Sequence, residues 1–171
     1  MPVEIERKYL LKNDTWRQNV SLSQEMSQGY LCGNERASIR VRIAGADATL
    51  NIKSATLGIE RLEYGYALPL NEARELLERL AGAVVEKTRH HVEVDGVLFE
   101  IDEFHGANAG LIVAEVELPC ASSDHPRPDW LGVEVSHDPR FYNTELARVP
   151  FSRWPDREKW MSAATDLVPK A

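Results

Sequence analysis

Cysteine is scarce in this chain. Cys32 and Cys120 are the only two among 171 residues. They form neither a CxxC pair nor a zinc-type spacing, so two reduced thiols in a cytoplasmic protein are the expectation. No basic tail or run offsets the net charge of −7. That argues against capture of a nucleic-acid polymer by bulk electrostatics, while leaving room for a local basic pocket. No apolar stretch approaches a membrane span, and the charged segment Met1 to Leu11 does not read as a secretory leader. A phosphate-binding Walker loop, a GxGxxG turn and a nucleophile elbow are all missing. So are internal repeats and low-complexity tracts.

What is present is one domain's worth of chain, 43% hydrophobic, enough to bury a core. We read 1–171 as a single domain, with 150–171 as a C-terminal helical extension. The dominant signal is period-two alternation. It runs through VEIERKYLL (3–11), QGYLC (28–32), RASIRVRI (36–43), ATLNIKS (48–54), IERLEYGYAL (59–68), VVEKTRHHVEV (84–94), VLFEIDEF (97–104) and LIVAEVEL (111–118). Asn13, Asp14 and Thr15 carry N-cap chemistry and predict a short helix. Ala73, Leu76, Leu77, Leu80 and Ala81 fall at helical spacing and predict a helix over 71–81, stopped at Gly82. After the polar connection 122–129 come a short strand, a turn, a helix from about Asn143, and a terminal helix over 154–164. The fold class is α+β, mainly β: eight antiparallel strands with helices attached.

One face of these strands is charged at nearly every central position. Its bases are Lys8, Arg40, Arg42, Lys53, Arg61, Lys87 and Arg89. Its acids are Glu4, Glu6, Glu63, Glu100, Asp102, Glu115 and Glu117. A single pair of this kind is what any wet sheet face shows. The whole set differs, because like charges sit together at i, i+2 and neutral residues are rare among them. Eight strands can close into a barrel. With the charged faces inward, the interior is a polar tunnel, and the apolar faces outside need helices over them. Clustered Arg and Lys suit phosphate oxygens. Clustered carboxylates suit a hard divalent cation such as Mg²⁺ or Mn²⁺.

The residues EIERK resemble the ExExK signature of the CYTH domain, the triphosphate tunnel metalloenzymes. SIRVR, LNIKS, RLEY, EKTRHH, FEIDEF, AEVEL and WLGVEVSHDPRFYNTELA continue the resemblance in order, over roughly residues 2 to 149. It implies an eight-stranded antiparallel tunnel. It implies that Lys8, Arg40, Arg42, Lys53, Lys87 and Arg89 bind substrate phosphates. Glu4, Glu6, Asp102, Glu115 and Glu117 would hold metal, with Glu63 and Glu100 in an outer or second-metal role. Lys8, Glu4 and Glu6 are the residues the resemblance puts nearest the chemistry, and Arg61 would orient neighbouring acids. It implies a two-metal hydrolysis of a triphosphate by water, with no Ser, Cys or His nucleophile. Gly65 departs from the pattern, since an acid often stands there.

The small bacterial inorganic triphosphatases are the most similar branch, so inorganic triphosphate, cleaved to pyrophosphate and phosphate, is the expected substrate. A class IV adenylate cyclase and a thiamine triphosphatase are the enzymatic alternatives, and a polyphosphate or nucleotide sensor is the non-enzymatic one. A small-molecule partner is expected, with no nucleic-acid polymer and no membrane; a homodimer stays open. Tyr30 either lines the tunnel or packs. His90 and His91 point opposite ways, and His105, His125 and His137 read as exposed loop residues. The segment 154–164 could plug a tunnel end, cover the outer apolar face or join a dimer, and covering the outside is the expectation.

Overall fold

The fold is that of a computed structural model of the chain, which describes residues 3–55 and 59–165. The strands are β1 (Val3–Leu11), β2 (Val20–Gly33), β3 (Ala37–Ala44), β4 (Asp47–Ser54), β5 (Glu60–Ala67), β6 (Val84–Val94), β7 (Val97–Phe104), β8 (Ile112–Glu117) and β9 (Leu131–Glu134). The helices are α1 (Leu70–Arg79), α2 (Asn143–Arg148) and α3 (Arg157–Thr165). The sheet order is β5-β4-β3-β2-β6-β7-β8-β1-β9, and β5 also pairs with β1. That last pairing, Val3 opposite Leu62 and Glu4 opposite Arg61, closes eight antiparallel strands into a barrel. Closure leaves no long edge to template other chains. β9 is an extra strand outside the ring, laid against β1 at Tyr9 and Leu11.

Hairpin chemistry explains part of the path. Asp95 and Gly96 both have positive φ, 50° and 77°, the two-residue Asp-Gly turn that matches strand twist between β6 and β7. Alternation then sorts the side chains. Tyr9, Leu11, Val92, Phe99, Ile101, Ala114 and Val116 face outward and pack under Trp16, Trp130 and Leu131. Val41 and Ala48 face outward on the opposite side, under Ala73 and Leu77 of α1.

The third apolar cluster corrects the expected place of the C-terminal segment. Leu10, Val85, Phe104 and Val113 lie on the inward rows of their strands, two residues beyond Lys8, Lys87, Asp102 and Glu115. They pack with Phe141, Leu146, Phe151 and Trp154. The chain after β9 therefore fills part of one end of the barrel instead of roofing its outside. α3 begins at Arg157, not Trp154; residues 166–171 of the expected extension lie outside the described residues.

Three smaller expectations also change. The strand read as 28–32 is the end of a 14-residue strand. The helix near Asn13 is a 3-10 turn over Thr15–Asn19, and it is Asn13 Oδ1 that accepts from the Thr15 amide at 3.0 Å. His125 is buried, 6% exposed, beside Tyr9 and Phe99.

Candidate functional site

All the charged residues singled out by alternation occupy inward positions of the ring. Register is the reason: residues directly opposite across antiparallel strands share a face. Glu6 stands opposite Glu117 and Lys8 opposite Glu115. Arg40 stands opposite Asn51, Lys53 opposite Glu63, and Arg89 opposite Asp102.

Inside, acids and bases are interleaved. Lys53 Nζ lies 2.9 Å from Glu4 and 2.8 Å from Glu63. Arg61 Nε lies 2.6 Å from Glu4, and its Nη2 reaches Glu6. Lys8 Nζ is 2.9 Å from Glu6 and pairs with Glu115. Arg89 grips Asp102 through Nε at 2.7 Å and Nη2 at 2.7 Å, and also reaches Glu115 and Glu100. Lys87 pairs with Asp102, with its Nζ 5.6 Å from the Phe104 ring centre. Lys8, Lys87 and Asp102 are each 3% exposed or less.

These pairings fix the ionisation states. Burial alone would raise the Glu115 pKa, but Lys8, Arg89 and Lys87 overcome it and hold the carboxyl well below its usual range. Burial likewise works against the Lys8 cation, and Glu115 and Glu6 outweigh it, so its pKa is raised. Lys87 goes the other way: burial and the neighbouring Arg89 lower it to about 8. Burial, then Arg40 and Arg61, lowers Lys53.

Two residues stand outside the pairing. Arg42 has no ion pair among the described residues, and burial with Arg40 and Arg89 nearby lowers its pKa. Glu117 has none either; burial, then Glu4, Glu100 and Glu6, raises its pKa. The lumen thus has a surplus cation at one level and a surplus anion at another. That is what an anionic ligand travelling with a cation would meet.

The acids fit a divalent metal in kind. They are hard carboxylate oxygens, and Glu117 sits in a field of negative charge that a cation would relieve. Among the described residues no three acids or histidines are gathered as a ready metal-binding group. The physical reason is visible above: Glu4, Glu6, Asp102 and Glu115 are each turned onto Lys or Arg.

A cavity of about 700 Å³ opens beside the plugged end, lined by Lys8, Tyr30, Arg40, Lys53 and Arg61 inside and by Tyr142 to Glu145 of the α2 region at its mouth. Tyr30 therefore lines the hollow. At Gly65 a side chain would stand 3.4 Å from Asn51 Nδ2; Asn51, buried, donates to Glu63 at 2.9 Å. Ser136 was not singled out by sequence. Its Oγ accepts the Lys8 amide at 3.0 Å, fixing β1 where it has left β5. His90 faces outward to Ser23 and Glu103, while His91 approaches Glu100 at 3.6 Å.

Comparison with known proteins agrees with this geometry. A family model described as the CYTH domain matches residues 2–142. An inorganic triphosphatase of Acetivibrio thermocellus is 38% identical over 155 residues, covering 90% of this chain and 99% of the relative. An inorganic triphosphatase of Nitrosomonas europaea is 34% identical over 148 residues, covering 84% and 96%. The crystal structure of an inorganic triphosphatase superimposes with a TM-score of 0.63 at 31% identity, covering 86% of this chain and 95% of that one.

Proposed function

The chain belongs to the CYTH-domain family, and on that premise we propose that it is a metal-dependent hydrolase of triphosphate compounds. Inorganic triphosphate is its substrate, cleaved to pyrophosphate and phosphate. The observation that carries this reading is a closed barrel whose interior holds Lys8, Arg40, Arg42, Lys53, Lys87 and Arg89, with the acid Glu117, unpaired among the described residues, at the exposed end of an inward row. The names of the relatives, both inorganic triphosphatases, support the choice of substrate.

The cations do the binding. Arg guanidinium groups pair with phosphate oxygens in bidentate fashion, and Lys serves as a point charge. Arg42 is available at once. The others exchange an acid for a phosphate oxygen, so the protein does not have to create a cationic cage from solvated side chains. Burial excludes water and strengthens each contact as charge shifts to the leaving oxygen. Lys8, between Glu6 and Glu115, stands where the phosphate and acid regions meet. The acids Glu4, Glu6, Glu63, Asp102, Glu115 and Glu117 would hold Mg²⁺ or Mn²⁺, which when bound would neutralise phosphate charge and supply a water acidified for attack on phosphorus. Arg61, held by Glu4 and Glu6, orients those acids.

The test is a substrate panel on purified protein with Mg²⁺ or Mn²⁺ and with EDTA. Release of phosphate and pyrophosphate in equal amounts from inorganic triphosphate, abolished by EDTA, is expected. Cyclic AMP from ATP, thiamine triphosphate as the better substrate, or tight binding without turnover would each replace this reading.

A further inference from the structure

The wall made by β3, β2 and β6 carries cations on its two flanking strands and none on the middle one. Arg40 and Arg42 point inward from β3, and Lys87 and Arg89 from β6. Between them β2 offers Gln28, directly opposite Arg42 on one side and Val85 on the other, with Lys87 one inward position along β6. Gln28 shares its face with Tyr30, which lines the cavity. The Gln28 side chain is buried, 1% exposed, and its Nε2 has no hydrogen-bond partner. Buried side-chain donors are nearly always paired, so an unpaired one calls for a partner that comes and goes. Arg40 Nε is a second buried donor without a partner on this wall, and Arg42 beside it lacks an acid.

We propose that Gln28 is a substrate-binding residue: its carboxamide donates to a phosphate oxygen held between Arg42 and Lys87. The proposal deepens the triphosphatase reading and rests on it. The residue type follows from its neighbours. Adjacent strands are about 4.8 Å apart, so a third cation on β2 would be pressed against Arg42 and Lys87. An acid there would pair with Arg42 and cancel the charge that draws the anion. An amide supplies a donor with neither penalty. The backbone is fixed from behind, because Gly29 lets α1 approach closely: a Cβ there would stand 2.7 Å from Ala81 Cβ and 2.9 Å from Leu77 Cδ2.

The test compares wild type with Gln28→Met, which keeps the shape and deletes the donor, and with Gln28→Glu. Binding of inorganic triphosphate in EDTA is measured by calorimetry, Tm is measured without ligand, and KM and kcat are measured with Mg²⁺. Gln28→Met should bind triphosphate about tenfold more weakly, the scale of one hydrogen bond to a charged group. Its KM should rise with little change in kcat, and its Tm should be unchanged or higher because an unpaired buried donor is gone. Gln28→Glu should bind more weakly still. Triphosphate affinity equal to wild type in Gln28→Met, or a loss of affinity accompanied by a fall in Tm, would overturn the role of Gln28. Failure of wild type itself to bind or cleave triphosphate would instead overturn the function on which the role rests.

Discussion

On β7, Phe99, Ile101 and Asp102 are all fully buried, yet burial serves opposite ends on the two faces. Phe99 meets Trp130 edge-on at 5.2 Å, in a cluster of apolar side chains. Burying such a group stabilises the fold by about 1.5–3 kcal/mol. Asp102, one residue from Ile101, takes Lys87 and Arg89 into a dry interior. Buried ion pairs at best roughly offset their own desolvation, and apolar replacements are often as stable or more so. The outer face and the plug hold the barrel together. The inner face is kept for what it can bind.

Substitutions on the two faces should therefore fail differently. The largest effect on stability belongs outside. Phe99→Ala should lower unfolding free energy by about 3–5 kcal/mol in urea denaturation, while the remaining folded protein keeps its kcat. A loss of kcat in folded Phe99→Ala would mean that the two faces are not separable. The largest effect on chemistry belongs inside. Glu4→Gln and Glu6→Gln each remove a charge and no volume, so metal-dependent turnover should vanish while circular dichroism and the gel-filtration profile stay those of wild type. Near-wild-type turnover in both would remove the metal assignment. Arg42→Met comes next. Arg42 has no acid to abandon, so Tm should hold or rise while KM for triphosphate increases by tenfold or more, since charge-assisted contacts with phosphate are among the stronger ones. A clear fall in Tm would show that Arg42 supports the fold.

Legibility in the sequence followed the same division. Alternation in VEIERKYLL, RASIRVRI and FEIDEF placed the inner charges because strand side chains repeat every two residues whatever the tertiary context. The first half of β2 was missed. SLSQEMSQ contains no β-branched residue, and Ser21, Leu22, Ser23 and Glu25 are exposed, so neither propensity nor burial marks it. β6 holds it in the sheet along one side from Val20 onward, and β3 joins on the other side only from Met26. Gln28 and Ser136 were missed because an uncharged polar residue reads as ordinary surface. The plug is one of the places open to the C-terminal segment but not the expected one, although its sign is present. The inward rows turn apolar at one end: Glu4, Glu6, Lys8, Leu10; Arg89, Lys87, Val85; Glu117, Glu115, Val113. Inward apolar residues need apolar partners, and the aromatic C-terminal segment is where the chain has them.

The smallest predicted effect concerns Glu117, and its sign matters more than its size. Glu117 is exposed at the end of β8, with no ion pair among the described residues, and Glu4, Glu100, Glu6 and Glu63 all act on it repulsively. Without metal, then, Glu117→Gln should raise Tm slightly, because a repelled charge disappears and no attraction is lost. With Mg²⁺ added, the order should reverse: wild type should gain more Tm than the variant, since only wild type keeps the full negative charge for the ion to neutralise. Differential scanning fluorimetry with and without Mg²⁺ reads both changes in one experiment. A metal-free Tm that falls in Glu117→Gln would mean this carboxylate is already compensated. The surplus of acid at this end of the inward rows, and with it the contrast between a stabilising wall and a binding lumen, would then be gone.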